Sequence, residues 1–515
     1  MKRTKILAIV IVILLLSGVV VCQAEPADTE GQIERLRAAL ENKQPAPPAA
    51  KTATSEIQLA QRAVTAKEDK QAEAKDVPDW ARELQAQMKA LEAKLTKVQA
   101  EKAELQATLK KVQSGQSSYE GKLEKLLKAK PAKPTDFRVY WKEGLRFTST
   151  DEQFKLKVGG RLMYDAGWIH GADSTEDLLG TQLTDGTEVR RARLYTAGTI
   201  YGNIDFKLQL DFAGGDADLK DAYLMFKKIP CAGNVKIGHY KEPFSLEELT
   251  SSKYITFLER SLANTFAPGR NTGVTAYSHT ADKRLAWALG GFRDTDGYGE
   301  EESERGYAVT GRMVGLPWYE EKGKRLLHLG AAYSFRDTDD GRVRRYRARP
   351  EYHLTERFVD TGSFPVDHVH LFGTEAALVC GPFSAQAEYI ASLNKSGESG
   401  VEDACLNGFY VSAGYFLTGE HRPYKAGKGV FGRVKPKKNF GKDGCGAWQI
   451  VGRFSCLDLN DGPVRGGRLQ NETLGLNWFV NPNVRFMWDY VHSRVDRNDE
   501  KGDADMFLMR AQVDF

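Results

Sequence analysis

Beyond Val21 the chain has no apolar run approaching the roughly 20 residues that a membrane-spanning helix needs. A mean hydropathy of −0.47 fits that absence. It does not exclude a membrane barrel, in which only alternate residues face lipid. Cysteine is scarce, with six in 515 residues. If Cys22 leaves with a signal peptide, the remaining Cys231, Cys380, Cys405, Cys445 and Cys456 are an odd, scattered set that gives no disulfide framework. The formal net charge of +4 is too small to imply a nucleic-acid partner. No GxSxG, HExxH, GxxxxGK[ST] or CxxC pattern occurs, so the common hydrolase, metalloprotease, P-loop and dithiol chemistries find no support. His368 and His370 stand at strand spacing without an acidic or cysteine partner, and an edge or loop pair is the simpler reading than a metal site. No enzyme, cofactor or metal is expected.

What is present begins with an export signal. Lys2, Arg3 and Lys5 precede an apolar run from Ile6 to Val21, and Cys22-Gln23-Ala24 offers small residues for a cut after Ala24. An uncleaved anchor or an acylated Cys22 are the alternatives, and Val21 is bulky for the position before a lipidated cysteine. Residues 25–79 are rich in Ala, Lys, Glu, Gln and Pro and too poor in bulky apolar residues to form a core, which reads as a disordered spacer. Within 80–130 the spacing changes to alternating fours and threes at Leu84, Met88, Leu91, Leu95, Val98, Leu105, Leu109, Val112, Tyr119, Leu123 and Leu126. Lys102 and Gln116 fill the two remaining seam positions, and about six heptads of this register specify a left-handed coiled coil. Pro131 and Pro134 end it.

From Phe137 the helical period gives way to short alternating runs separated by Gly, Asp and Asn. Ile204, Phe206, Leu208, Leu210 and Phe212 share one strand face, and Asn203, Asp205, Lys207, Gln209 and Asp211 share the other. The chain ends in the same way. Phe507, Met509, Ala511, Val513 and Phe515 alternate with Leu508, Arg510, Gln512 and Asp514, and an aromatic residue stands at the carboxylate. Residues 137–515, at some 22 to 24 per strand with its loop, suit an all-β, transmembrane antiparallel barrel of about 16 strands. On this reading the apolar members of the last strand face lipid and Arg510 faces the lumen.

Several blocks carry a resemblance. They are RRARLYTAGTIYGNIDFKLQLDFAGG from Arg190, GHYKEPFSLEELTSSKYITFLERSLANTFAPGRNTG from Gly238, GAWQIVGRFSCLDL from Gly446 and LGLNWFVNPNVRFMWDY from Leu474. Residues 137–515 resemble the phosphate-selective porin O/P family of Gram-negative outer membranes. The resemblance implies a 16-stranded barrel, usually trimeric, with a basic pore narrowed by an inward-folded third loop, and small anions such as phosphate as its cargo. A trimeric barrel would bring three N-terminal helices together on the periplasmic side, where the spacer could approach the cell wall.

Anion passage needs cationic side chains where the pore is narrow. Arg191 and Arg193 share lumen parity if no bulge intervenes, whereas Arg190 has the opposite parity and would sit at an interface. Lys207 and Lys236 have lumen parity in their own strands. By the resemblance, Ser251, Ser252 and Lys253 fall on the hydroxyl and lysine group that meets anions at the constriction. Glu242, Glu247, Glu248 and Glu259 lie nearby, and this loop carries fewer lysines than the family's phosphate-specific members, which weakens the case for phosphate in particular. Two more basic clusters, Arg342, Arg344, Arg345, Arg347 and Arg349, and Lys435, Lys437 and Lys438, suit a vestibule or lipopolysaccharide phosphates. Other readings are an envelope tether and a channel for other organic anions or oligosaccharides.

Overall fold

The computed structural model describes residues 136–515, apart from 302–303, 339–342, 398–399 and 442, together with helical positions at Gln99, Ala103, Glu104, Gln106, Ala107 and Lys110. The expected signal peptide (1–24), the spacer (25–79), the remainder of the coiled coil (80–130) and Arg342 lie outside the described residues.

The alternating segments form strands. A hairpin, β1 (Phe137–Trp141) and β2 (Leu145–Ser149), comes first. Then follow β3 (Lys155–Gly171), β4 (Gly186–Ile200), β5 (Ile204–Asp211), β6 (Asp218–Ile229), β7 (Gly233–Lys241), β8 (Arg270–His279), β9 (Leu285–Arg293) and β10 (Tyr307–Glu320). The second half holds β11 (Arg325–Asp337), β12 (His368–Cys380), β13 (Phe383–Lys395), β14 (Ala404–Phe416), β15 (Ala447–Asp461), β16 (Val464–Phe479), β17 (Val484–Arg497) and β18 (Glu500–Asp514). Each pairs antiparallel with the next, and β18 returns to β3, from Ala504 opposite Gly171 to Asp514 opposite Arg161. The 18-stranded sheet therefore contains a closed ring of sixteen strands, β3 to β18, as alternation and length suggested. The hairpin is an addition: β2 pairs with Lys155–Val158, the part of β3 that β18 leaves free.

Closure depends on a close approach. Phe515 and Gly160 exchange backbone hydrogen bonds of 3.0 and 2.9 Å, and Phe515 stacks on Trp141 at 6.2 Å. A Cβ at position 160 would come within 2.8 Å of both the Phe515 ring and the Arg193 carbonyl, so glycine is needed there. In β18 the faces divide as the alternation requires. Phe507 and Val513 are exposed on the outer surface, whereas Arg510, Gln512 and Asp514 are buried inside. Leu162, Leu194, Leu208, Leu224, Val274 and Leu289 continue the apolar outer belt. Aromatic rings gather towards both edges, Trp168 with Phe507 at one and Trp448, Trp478, Phe486 and Trp488 at the other, which is the girdle pattern of a membrane barrel.

The two rims differ. At the rim near Phe515 most connections are a few residues long, whereas 242–269 and 338–367 are long connections of the opposite rim. Short turns mark the periplasmic side of such barrels and long loops the outer side. One segment breaks the rule: 417–446 is a long connection on the short-turn rim, and its Arg422, Tyr424 and Phe431 are buried. Inside the barrel, Phe244, Leu258, Leu262 and Phe266 of one long loop and Tyr352, Phe358 and Val359 of the other share a core with Leu371, Ile390, Leu406, Leu457, Leu469, Val491, Met506 and Leu508 on the wall of β12 to β18. Each fully buried Leu or Phe side chain contributes about 1.5–3 kcal/mol. The long loops are therefore held against one wall, and the open lumen lies towards β3–β8.

Candidate functional site: the basic lumen

The loop 242–269 is held in place by its four carboxylates. Glu242 meets Arg336 of β11 at 2.9 Å, and Glu247 meets Arg453 of β15 at 3.6 Å while accepting from the Ser261 hydroxyl at 2.7 Å. Glu248 lies between Lys241 at 2.7 Å and Arg260 at 3.0 Å. Glu259 is held by Arg190 at 2.9 Å, Arg191 at 3.6 Å and Arg510 at 2.9 Å. Burial alone would raise the Glu248 carboxyl, but Arg260 and Lys241 outweigh it and hold it down at about 2. The three arginines around Glu259 hold its carboxyl well below the ordinary value, against the opposing effect of burial. These acids are spent on anchoring, so their charge is cancelled where it stands. Backbone contacts complete the attachment: Leu246 and Glu247 N–H donate to Glu388 at 2.9 and 2.7 Å, Leu258 N–H to Asp489 at 2.8 Å, and Arg510 to the Leu258 carbonyl at 2.5 Å.

Six of the expected site residues, Arg191, Arg193, Lys207, Lys236, Ser251 and Ser252, line one cavity of about 260 Å³. Arg161, Lys241, Arg260 and Arg270 line it too, whereas Asp221 is the single carboxylate in the lining. Arg193 pairs with Asp211 at 2.6 Å, Arg270 with Asp221 at 2.9 Å, and Lys207 also with Asp221. Arg161 is 7% exposed and donates to the Ser252 hydroxyl at 2.5 Å, with no carboxylate at ion-pair distance among the described residues. Lys236 has no such carboxylate either. Its ammonium stands 4.6, 4.9 and 5.5 Å from the ring centres of Tyr240, Tyr223 and Tyr277, whose faces favour a cation.

Lys253 is set apart. It lines a narrower neighbouring cleft with Tyr254, Arg422, Arg433 and Arg485, and its ammonium is 3.3 Å from Asp514. Burial lowers its pKa to about 8 despite that carboxylate. Towards the long-loop rim, a second cavity of about 410 Å³ shares Arg191 and Arg260 with the first and adds Arg190, Arg347, Arg349 and Arg357. Of the expected vestibule cluster, Arg347 and Arg349 thus face the lumen, whereas Arg344 pairs with Asp294 and the exposed Arg345 with Asp360. Lys435 lies on the opposite rim, 3.3 Å from Glu143, and Lys437 and Lys438 are on that rim too. His368 and His370 share a face of β12 with the exposed Phe372, beside Phe335, away from the lumen.

One expectation is corrected. Arg190 is not an interfacial residue. Met163 pairs with Arg191 and Tyr164 with Val189, so the register of β4 skips Arg190, and this bulge turns it inward onto Glu259. Arg161, Arg260 and Arg270 were not foreseen. Arg161 had a legible signal, since it alternates with the outward Leu162 and Tyr164, but the positions of Arg260 and Arg270 depend on the path of the loop.

A family model described as phosphate-selective porin O and P matches residues 156–515. With the closed barrel and its basic interior, this match defines the class: an outer-membrane porin, an anion channel of that membrane. Porin O of Pseudomonas aeruginosa is 29% identical over 424 residues, covering 74% of this chain and 93% of that one. An uncharacterized protein of Caulobacter vibrioides is 33% identical over 380 residues, 70% of this chain and 72% of that one. An anion-selective porin from Comamonas acidovorans has a TM-score of 0.45 at 10% identity, with 70% of this chain and 99% of that chain covered. The chain belongs to the phosphate-selective porin O and P family.

Proposed function

We propose that the channel passes small anions, phosphate among them, by diffusion along one cationic track with no chemical step. Anions enter past Arg347 and Arg349, move to Arg190, Arg191 and Arg260, and reach Arg161, Arg193, Arg270, Ser251 and Ser252 at the constriction. Lys207, Lys236 and Lys253 receive them on the far side. The carrying observation is the lining of the constriction cavity, where cationic side chains greatly outnumber the lone Asp221. Two serine hydroxyls and several shared cations replace part of an anion's hydration shell without gripping it. Partial compensation by Asp211 and Asp221 keeps residence short.

Further assignments rest on the family and on sequence pattern. The barrel works as a trimer, the heptads of 80–130 act as a periplasmic coiled coil, and 25–79 reaches towards the cell wall. The basic residues of the outer mouth, Arg345 among them, meet lipopolysaccharide phosphates. Phosphate added to purified channels in planar bilayers should reduce chloride current with a saturating dependence. Chloride conductance that phosphate leaves unchanged would remove phosphate from the cargo.

A further inference from the structure

A third cavity, of about 240 Å³, opens from the constriction cavity and shares Lys236, Tyr240, Lys241 and Leu249 with it. Its character is different. The constriction is walled mainly by charges and hydroxyls, whereas this side cavity adds Pro243, Val314, Val430, Tyr277, Ala286 and Ala288 beside Thr275, Ser278, Arg312 and Lys428. The space exists because β9 presents small residues inward: Ala286 and Ala288 share the lumen parity of the buried Phe292, while Leu285 and Leu289 point outward. Ala288 pairs directly with Tyr277 of β8, so a larger side chain at 288 would fill the space beside that ring.

The charges are unequal too. Lys241 is bound to Glu248 at 2.7 Å and Arg312 to Glu375 at 2.5 Å. Lys236 and Lys428, which also line the cavity, have no carboxylate at ion-pair distance among the described residues. Two ammonium groups without a carboxylate partner thus share a space whose remaining surface is largely aliphatic and aromatic, with Thr275, Ser278 and the paired Lys241 and Arg312 as its other polar groups. A bare oxyanion gains nothing from the aliphatic and aromatic part of that surface and loses water there. An anion with an apolar ring satisfies both parts, as pockets with few polar groups in an apolar lining do.

We propose that this side cavity is a binding site for aromatic carboxylates, with the carboxylate on Lys236 and Lys428 and the ring among Tyr240, Tyr277, Leu249, Val314 and Val430. The inference deepens the anion-channel reading and rests on it. The site would make the channel a carrier for small organic acids as well as inorganic anions, each slowed beside the main track.

Benzoate, acetate and phosphate are titrated separately against chloride current through the full-length channel in planar bilayers. Benzoate should inhibit at concentrations about tenfold lower than acetate. Ala288→Leu should weaken benzoate inhibition by about tenfold while chloride conductance and phosphate inhibition stay within about twofold of the parent. Lys236→Met should also weaken benzoate inhibition, and heat-modifiable gel mobility shows that each variant is folded. Benzoate no stronger than acetate, or equal benzoate inhibition in the parent and in both folded variants, would overturn the site. Cation selectivity of the parent would instead overturn the anion reading beneath it.

Discussion

The two walls of this barrel use the same alternation for different ends. On β3–β8 the inward positions are Arg161, Arg191, Arg193, Lys207, Asp221 and Lys236, which face open space. On β12–β18 many inward positions near the long-loop rim are Leu371, Leu406, Leu457, Leu469, Met506 and Leu508, which face the two long loops. One wall is a binding surface for the protein's own loops and the other lines the proposed track. A lumen too wide to discriminate is thereby narrowed without extra strands, and most cations that line the constriction cavity stand on one side. The join between the regions is electrostatic. Arg510 of β18 reaches Asp165 of β3 at 2.7 and 2.6 Å and Glu259 of the loop at 2.9 Å.

Breaking that join should have the largest effect. Arg510→Met leaves Asp165 and Glu259 short of a buried cation, and a loss of about 4 kcal/mol is expected, because uncompensated buried charges are costly. Unfolding in urea, followed by gel mobility, would show it. Phe358→Ala removes a fully buried ring from the apolar wall's core and should cost about 3 kcal/mol. Single-channel records should then show larger, noisier conductance from a loosened loop, with ion preference retained. If Phe358→Ala altered selectivity and left conductance unchanged, the division of labour between the walls would be wrong.

On the other wall the pattern reverses. Among the described residues Arg161 has no ion pair to lose, so Arg161→Gln should change stability by less than about 1 kcal/mol yet lower the anion-to-cation permeability ratio. The smallest effect is a titration. Lys253 is protonated below about 8 and neutral above it, so anion preference should fall modestly as pH rises through that value. Its folded pKa lies below the ordinary 10.5, so the unfolded chain binds more protons between the two values and stability rises with pH across that window. Lys253→Met should shrink the selectivity step near pH 8, as reversal potentials at graded pH would report.

Much of this was legible in the sequence, for a simple reason. A period of two is a local property, so Leu208 and Phe212 outside, Gln209 and Asp211 inside, and the division of β18 at Arg510 all follow from neighbouring residues. Where one extra residue breaks the period, parity fails, and Arg190 was assigned to the wrong environment by a bulge that composition does not announce. The apolar wall left a faint trace in Met506-Phe507-Leu508-Met509, a run apolar on both faces that a lipid-and-water barrel does not need. The inward fold of 417–446 left none, since its Gly, Lys and Pro content reads as an ordinary exposed loop. Likewise the anchoring role of Glu242, Glu247 and Glu259 is not legible locally, because Arg336, Arg453 and Arg510 are distant in sequence.

The central claim is that the uncommitted cations of the β3–β8 wall set the sign of the selectivity. The reversal potential of the purified channel in a planar bilayer, under a potassium chloride gradient at pH 7, tests it most directly. The account predicts a potential close to the chloride equilibrium value, moved towards zero by Arg161→Gln. A potential on the potassium side of zero would contradict it.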